Sequence, residues 1–103
     1  MKYDKLIRDK IPEYIASRGG TSRTHIGDDI EYWTKLKQKL VEEAQEFARD
    51  ETIGELADLQ EVIDAICTYK KFDYVEISKI KKDKHDKRGG FSKRLILEES
   101  SDY

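Results

Sequence analysis

Between positions 30 and 66 the apolar residues recur at helical spacing twice, with almost nothing separating the two runs. Ile30, Trp33, Leu36, Leu40, Ala44 and Phe47 form the first stripe. Leu56, Leu59, Ile63 and Ile66, flanked by Ile53 and Val62, form the second. At roughly 100° per residue, each set gathers on one side of a helix. RDET, residues 49–52, makes the short turn between them. Two long helices joined so tightly must lie side by side and antiparallel. Asp28 or Asp29 suits the cap of the first helix, which runs to about Arg49. Thr52 suits the cap of the second, which runs to about Lys71.

The flanking segments read as further helix. IPEYIASRGG at 11–20 predicts a short one, with Pro12 in the first helical position and Gly19 or Gly20 as its stop. TSRTHIGDD at 21–29 is a loop. FDYVEISKIKKDKHDKR at 72–88 predicts a third long, polar helix, capped by Asp73 and resting on Val75, Ile77 and Ile80. Gly89-Gly90 breaks it. FSKRLIL at 91–97 suits a short extended segment, and EESSDY a frayed tail. The expectation is an all-α chain of one domain. Residues 1–27 would be an arm with a short helix, 28–72 a helical hairpin, and 73–103 a basic helix and tail.

Such a domain has a thin core. Of its 103 residues 37% are hydrophobic and 41% charged, and a chain of this size hides only roughly 60–65% of its unfolded surface. Burial against further copies, as a homodimer or homotetramer, is therefore expected. Cys67 is the lone cysteine. It cannot form an internal disulfide, suits a small buried position and fits a reducing compartment. No apolar run approaches the ~18 residues of a membrane span, and MKYDKLIRDK lacks the apolar stretch of a signal peptide. A cytoplasmic protein with no membrane partner is expected.

Charge is sharply partitioned. Residues 42–64 carry Glu42, Glu43, Glu46, Asp50, Glu51, Glu55, Asp58, Glu61 and Asp64 against Arg49 alone. Residues 79–94 carry Lys79, Lys81, Lys82, Lys84, Lys87, Arg88, Lys93 and Arg94 against Asp83 and Asp86. One block suits a cation and the other suits phosphates. A metal ion bound to a polyphosphate would satisfy both.

The acids are placed unevenly. On the first long helix Glu43 and Glu46 border one flank of the stripe, while Glu42 points away. On the second, Glu55 and Asp58 border a flank, and Glu61 and Asp64 repeat the spacing on the opposite side. Two flanking pairs on antiparallel neighbours can converge. Two carboxylates about 6 Å apart repel by roughly 3 kcal/mol at an effective dielectric near 20, so four need neutralising. Carboxylates without His or Cys favour Mg2+, or Mn2+, over Zn2+. Two other readings stand beside this one. The acids can form a solvated face, and Thr52-x-x-Glu55 can be a capping box that occupies Glu55.

EEAQE at 42–46 followed by ELAD at 55–58 resembles the paired acidic motif of the MazG-like all-α nucleoside triphosphate pyrophosphohydrolases. KLIRDKIPEYI at 5–15 and KRGGFSKRLILEE at 87–99 are similar to the ends of its phosphoribosyl-ATP pyrophosphohydrolase-like, house-cleaning branch. The resemblance covers most of the chain, from Tyr3 to Glu99, with a shorter connection between the acidic pairs than family members usually have. It implies helices assembled into oligomeric bundles. It also implies Mg2+-dependent cleavage of a nucleotide between its α- and β-phosphates, clearing non-standard nucleotides. By motif position Glu43, Glu46, Glu55 and Asp58 would be the metal ligands.

Lys5, Arg8, Lys10, Lys84, Arg88, Lys93 and Arg94 are then candidates to clamp substrate phosphates, each with a solvated surface charge as the rival role. The Gly89-Gly90 pair would let backbone N–H groups approach a phosphate. Glu42 is a candidate base or supporting residue. Trp33 and Tyr32 can stack on a nucleobase, although mid-stripe Trp33 suits the core better. His25 and His85 lack a second ligand at metal spacing. A competing reading makes residues 79–94 the arm of a non-enzymatic nucleic-acid-binding or scaffold module. Only Phe91 offers it a stacking platform, which disfavours a nucleic-acid partner.

Overall fold

The computed structural model describes residues 3–102. Four helices follow one another: α1 (Ile11–Ser17), α2 (Asp29–Asp50), α3 (Ile53–Lys70) and α4 (Tyr74–Arg88). Among the described residues there is no strand. By backbone contacts the chain divides into two compact units, Met1–Lys70 and Lys71–Tyr103.

The first unit is built on the α2–α3 hairpin, the only extensive helix–helix interface among the described residues. Asp28 starts α2, its carboxylate accepting from Glu31 N–H at 2.9 Å. Glu51 ends it in the left-handed region at φ 55°, donating its N–H to Phe47 O at 2.8 Å. Thr52 follows at once and caps α3, its Oγ1 accepting from Glu55 N–H at 3.2 Å. At the far end of the hairpin Trp33 stacks on Tyr69, with ring centroids 5.2 Å apart and planes at 9°. Tyr32 meets the same ring edge-on, and Tyr69 donates its hydroxyl to Asp29 O. The ammonium groups of Lys37 and Lys70 each stand 5.3 Å from the Trp33 ring centroid. Trp33 thus works inside the hairpin.

The buried face differs from the apolar stripes. Leu36, Val62 and Cys67 are the buried hydrophobic residues among those described, and Glu43 is buried with them. Ile30 and Ala44, expected inside, are exposed, as are Leu56 and Ile63. Each helix is turned by part of a step toward its acids. Glu43 therefore lies within the α2 face, and on α3 Leu59, Val62 and Ile66 stay on the covered side while Leu56 and Ile63 leave it.

Before the hairpin, the N-terminal arm lies along α2. Lys35 Nζ donates to the Asp4 carbonyl at 2.8 Å. Leu6, Ile7, Ile11, Pro12 and Ile15 are half-buried. In α1, Pro12 stands in the first turn, and Gly19 (φ 81°) supplies the left-handed stop.

In the second unit Asp73 caps α4 by accepting from Val75 N–H at 2.9 Å. Gly89 (φ 80°) closes the helix by donating its N–H to His85 O. Of the three expected apolar contacts only Ile77 is half-buried; Val75 and Ile80 are exposed. The segment expected to be extended instead opens with a turn, Arg94 N–H donating to Phe91 O at 3.2 Å.

Candidate metal centre

The tight Glu51-Thr52 connection sets the neighbouring turns of α2 and α3 against each other, and their acids meet. Carboxylate oxygens of Glu43, Glu55 and Asp58 all lie within 4.8 Å of one another. So do oxygens of Glu42, Glu43 and Glu46. Glu43 belongs to both groups. Glu61 and Asp64, which repeat the motif spacing on the other side of α3, belong to neither.

Two oxygens in this cluster have an exceptional position. Glu43 Oε2 and Glu55 Oε2 are buried and accept no hydrogen bond. Such groups are rare in folded proteins, because an unpaired buried acceptor forfeits its hydration with no return. Glu43 Oε1 faces Lys39 Nζ at 3.4 Å, which leaves Oε2 turned inward with no cation.

Protonation follows the same geometry. Burial pushes the Glu43 carboxyl above its ordinary value, and the adjacent Glu46 adds to the shift against the opposing Lys39. Glu55 is raised by desolvation and by the charges of Glu46, Asp58, Asp50 and Glu43. Glu42 behaves oppositely. Burial lifts it, but the Lys5 hydrogen bond and the charges of Lys39 and Lys5 outweigh that and hold it below its ordinary value.

Comparison of the chain with protein-family models, with curated proteins and with solved structures returns no match. The geometry of the centre therefore carries the functional reading.

That geometry suits a hard divalent ion. The donors are all carboxylate oxygens from two helices, the chemistry Mg2+ and Mn2+ select. Oxygens on opposite sides of an ion with Mg2+–O bonds sit about 4.2 Å apart, which falls inside the 4.8 Å within which these oxygens gather. The two unpaired interior oxygens supply what charge density alone does not, a reason for a cation between the helices.

The four acids expected at the centre are divided between the two groups: Glu46 lies with Glu42 and Glu43, and Glu55 and Asp58 lie with Glu43. Glu42 joins them although its helical angle points away. Its side chain reaches round to Lys5 Nζ at 3.2 Å and Lys39 Nζ at 3.5 Å. The capping question resolves into separate atoms: the Glu55 amide goes to Thr52, while its carboxylate joins the acids. Of the basic candidates, Lys5 and Arg8 reach the centre, Arg8 Nη2 donating to Asp58 Oδ1 at 2.8 Å. Lys10 is exposed at the start of α1. Lys84, Arg88, Lys93 and Arg94 are exposed in the second unit, where the last three line a concavity with Gly89 and Gly90. Lys39 was not among the candidates, although its spacing to Glu42 and Glu43 announces the contact. No helix of the described residues is long and apolar enough to cross a membrane.

Proposed function

We propose that this chain is a Mg2+- or Mn2+-dependent nucleotide pyrophosphohydrolase of the MazG-like kind, working as a homodimer or homotetramer on non-standard nucleotides. One observation carries the reading: the buried, unpartnered oxygens of Glu43 and Glu55 lie where acids of α2 and α3 converge. The order of the acidic pair and the two terminal blocks in the sequence supports the choice of reaction.

In this reading Glu43, Glu46, Glu55 and Asp58 hold the ion. When bound, it supplies positive charge for phosphate oxygens and acidifies a water in its shell. The remaining work falls to the chain's own groups. Burial of Glu43 and of the Glu55 Oε2 atom limits bulk water around these carboxylates, which strengthens the charge interactions there. Glu42 stays ionised under Lys5 and Lys39, so it anchors those cations in preference to accepting a proton. Lys5 and Arg8 stand at the rim where phosphate oxygens would arrive, and orient them by charge-assisted hydrogen bonds.

The test is incubation with canonical and modified nucleoside triphosphates, with and without Mg2+, scoring pyrophosphate and monophosphate. Mg2+-dependent release that falls by at least about a hundredfold in Glu43→Gln is expected. Tight nucleic-acid binding with no turnover of any nucleotide would overturn the reading.

A further inference from the structure

Arg8 bridges a carboxylate inside the centre and one outside it. Its Nη2 lies 2.8 Å from Asp58 Oδ1, and its Nη1 lies 4.0 Å from Glu61 Oε1, one turn along α3. Asp58 is shared with Glu43 and Glu55 in one of the two carboxylate groups, whereas Glu61 is in neither. We propose that Arg8 is an exchange residue: it neutralises Asp58 until a divalent cation takes that carboxylate, then turns its guanidinium to the phosphate oxygens of the nucleotide. The proposal rests on the metal-centre reading above and adds to it a coupling between ion binding and anion binding.

Three observations support it. A guanidinium and a divalent ion repel each other across one carboxylate, and an anionic phosphate between them removes that repulsion. The side chain is free to turn, since Arg8 is 57% exposed and exposed ion pairs exchange at little cost. It is also tethered. Just before it in the arm Asp4 is held by Lys35 and Lys5 by Glu42, while Glu61 gives Arg8 a second partner beyond the centre. Release from Asp58 thus leaves Arg8 at the rim.

The opposing signs make the proposal testable in the full-length protein. Mn2+ alone is titrated by calorimetry and by electron paramagnetic resonance, and methylenediphosphonate, which resists hydrolysis, is titrated into the Mn2+-loaded protein. Arg8→Ala should bind Mn2+ roughly two- to fivefold more tightly, because a competitor is gone. The same variant should bind the diphosphonate about tenfold more weakly. Arg8→Lys, which keeps the charge and loses the fork, should fall between. In an Asp58→Asn background, Arg8→Ala should no longer improve Mn2+ binding. A helical circular dichroism spectrum matching the wild type confirms that each variant is folded. If Arg8→Ala leaves Mn2+ affinity unchanged or weakens it, while Glu43→Gln still abolishes binding, the exchange is wrong and the centre stands. If the wild-type protein binds no Mn2+, the centre and the exchange fall together.

Discussion

Glu43 decides the residue scale, because it is a carboxylate placed where a core side chain would sit, 6% exposed. Its pKa and that of Glu55 are raised above the ordinary value of 4.5. The stability these groups allow is therefore full below that value and is lost as pH rises through the raised values. Glu42 is lowered from 4.5 and Asp50 from 3.8, so their contribution has the opposite sign and is complete once the pH is above those ordinary values. Without divalent ions, the melting temperature should fall as pH rises from about 4.5 through the raised values. Millimolar Mg2+ should reverse the slope, since it binds the ionised acids. Glu43→Gln should flatten both curves in differential scanning fluorimetry. An unchanged slope in that variant would remove Glu43 from the centre. Four of the five acids were legible in the sequence, because periodicity places a Cβ atom on a helix face. Glu42 escaped that logic, since a long side chain can follow a cation around the helix. Arg8 was legible as a basic residue and not as a partner of Asp58, which lies on another element 50 positions away.

At the scale of elements, the starts of α2, α3 and α4 were readable almost to the residue, because Asp28, Thr52 and Asp73 announce their helices through capping chemistry. The faces were less readable. An apolar pattern ranks only apolar residues, so it cannot find a buried face that has Glu43 within it, and the stripes were set slightly too far from the acids. Caps and centre should therefore separate by mutation. Asp28→Ala removes one hydrogen bond at the end of α2 remote from the acids and should cost about 1 kcal/mol. That corresponds to a fall in melting temperature of about 4–8 °C for a domain of this size. The Mg2+-induced rise should be the same as in the wild type. Leu36→Ala, at the most buried apolar side chain, should cost about 2–5 kcal/mol by cavity formation. Chemical denaturation measures both.

The whole molecule has little apolar interior of its own, three buried hydrophobic residues among those described. Ala44, Leu56 and Ile63 remain exposed on the hairpin. Helical angles put them on the flank away from Glu46 and Asp58, so another copy could cover them without blocking the acids. Under the proposed assembly, light scattering should give a dimer or tetramer whose melting temperature rises with protein concentration. Ile63→Glu should yield monomers; a wild-type protein that is monomeric and stable at high concentration would exclude the assembly. The aromatic pair at the open end of the hairpin makes such experiments easy to follow. Trp33 is the only indole in the sequence, and Tyr69 from the other helix lies flat against it. Excitation energy absorbed by that phenol passes to the indole only while the two helix ends stay together. Emission colour and tyrosine-to-tryptophan transfer thus give the chain a native optical gauge of hairpin closure, at the end remote from the acids.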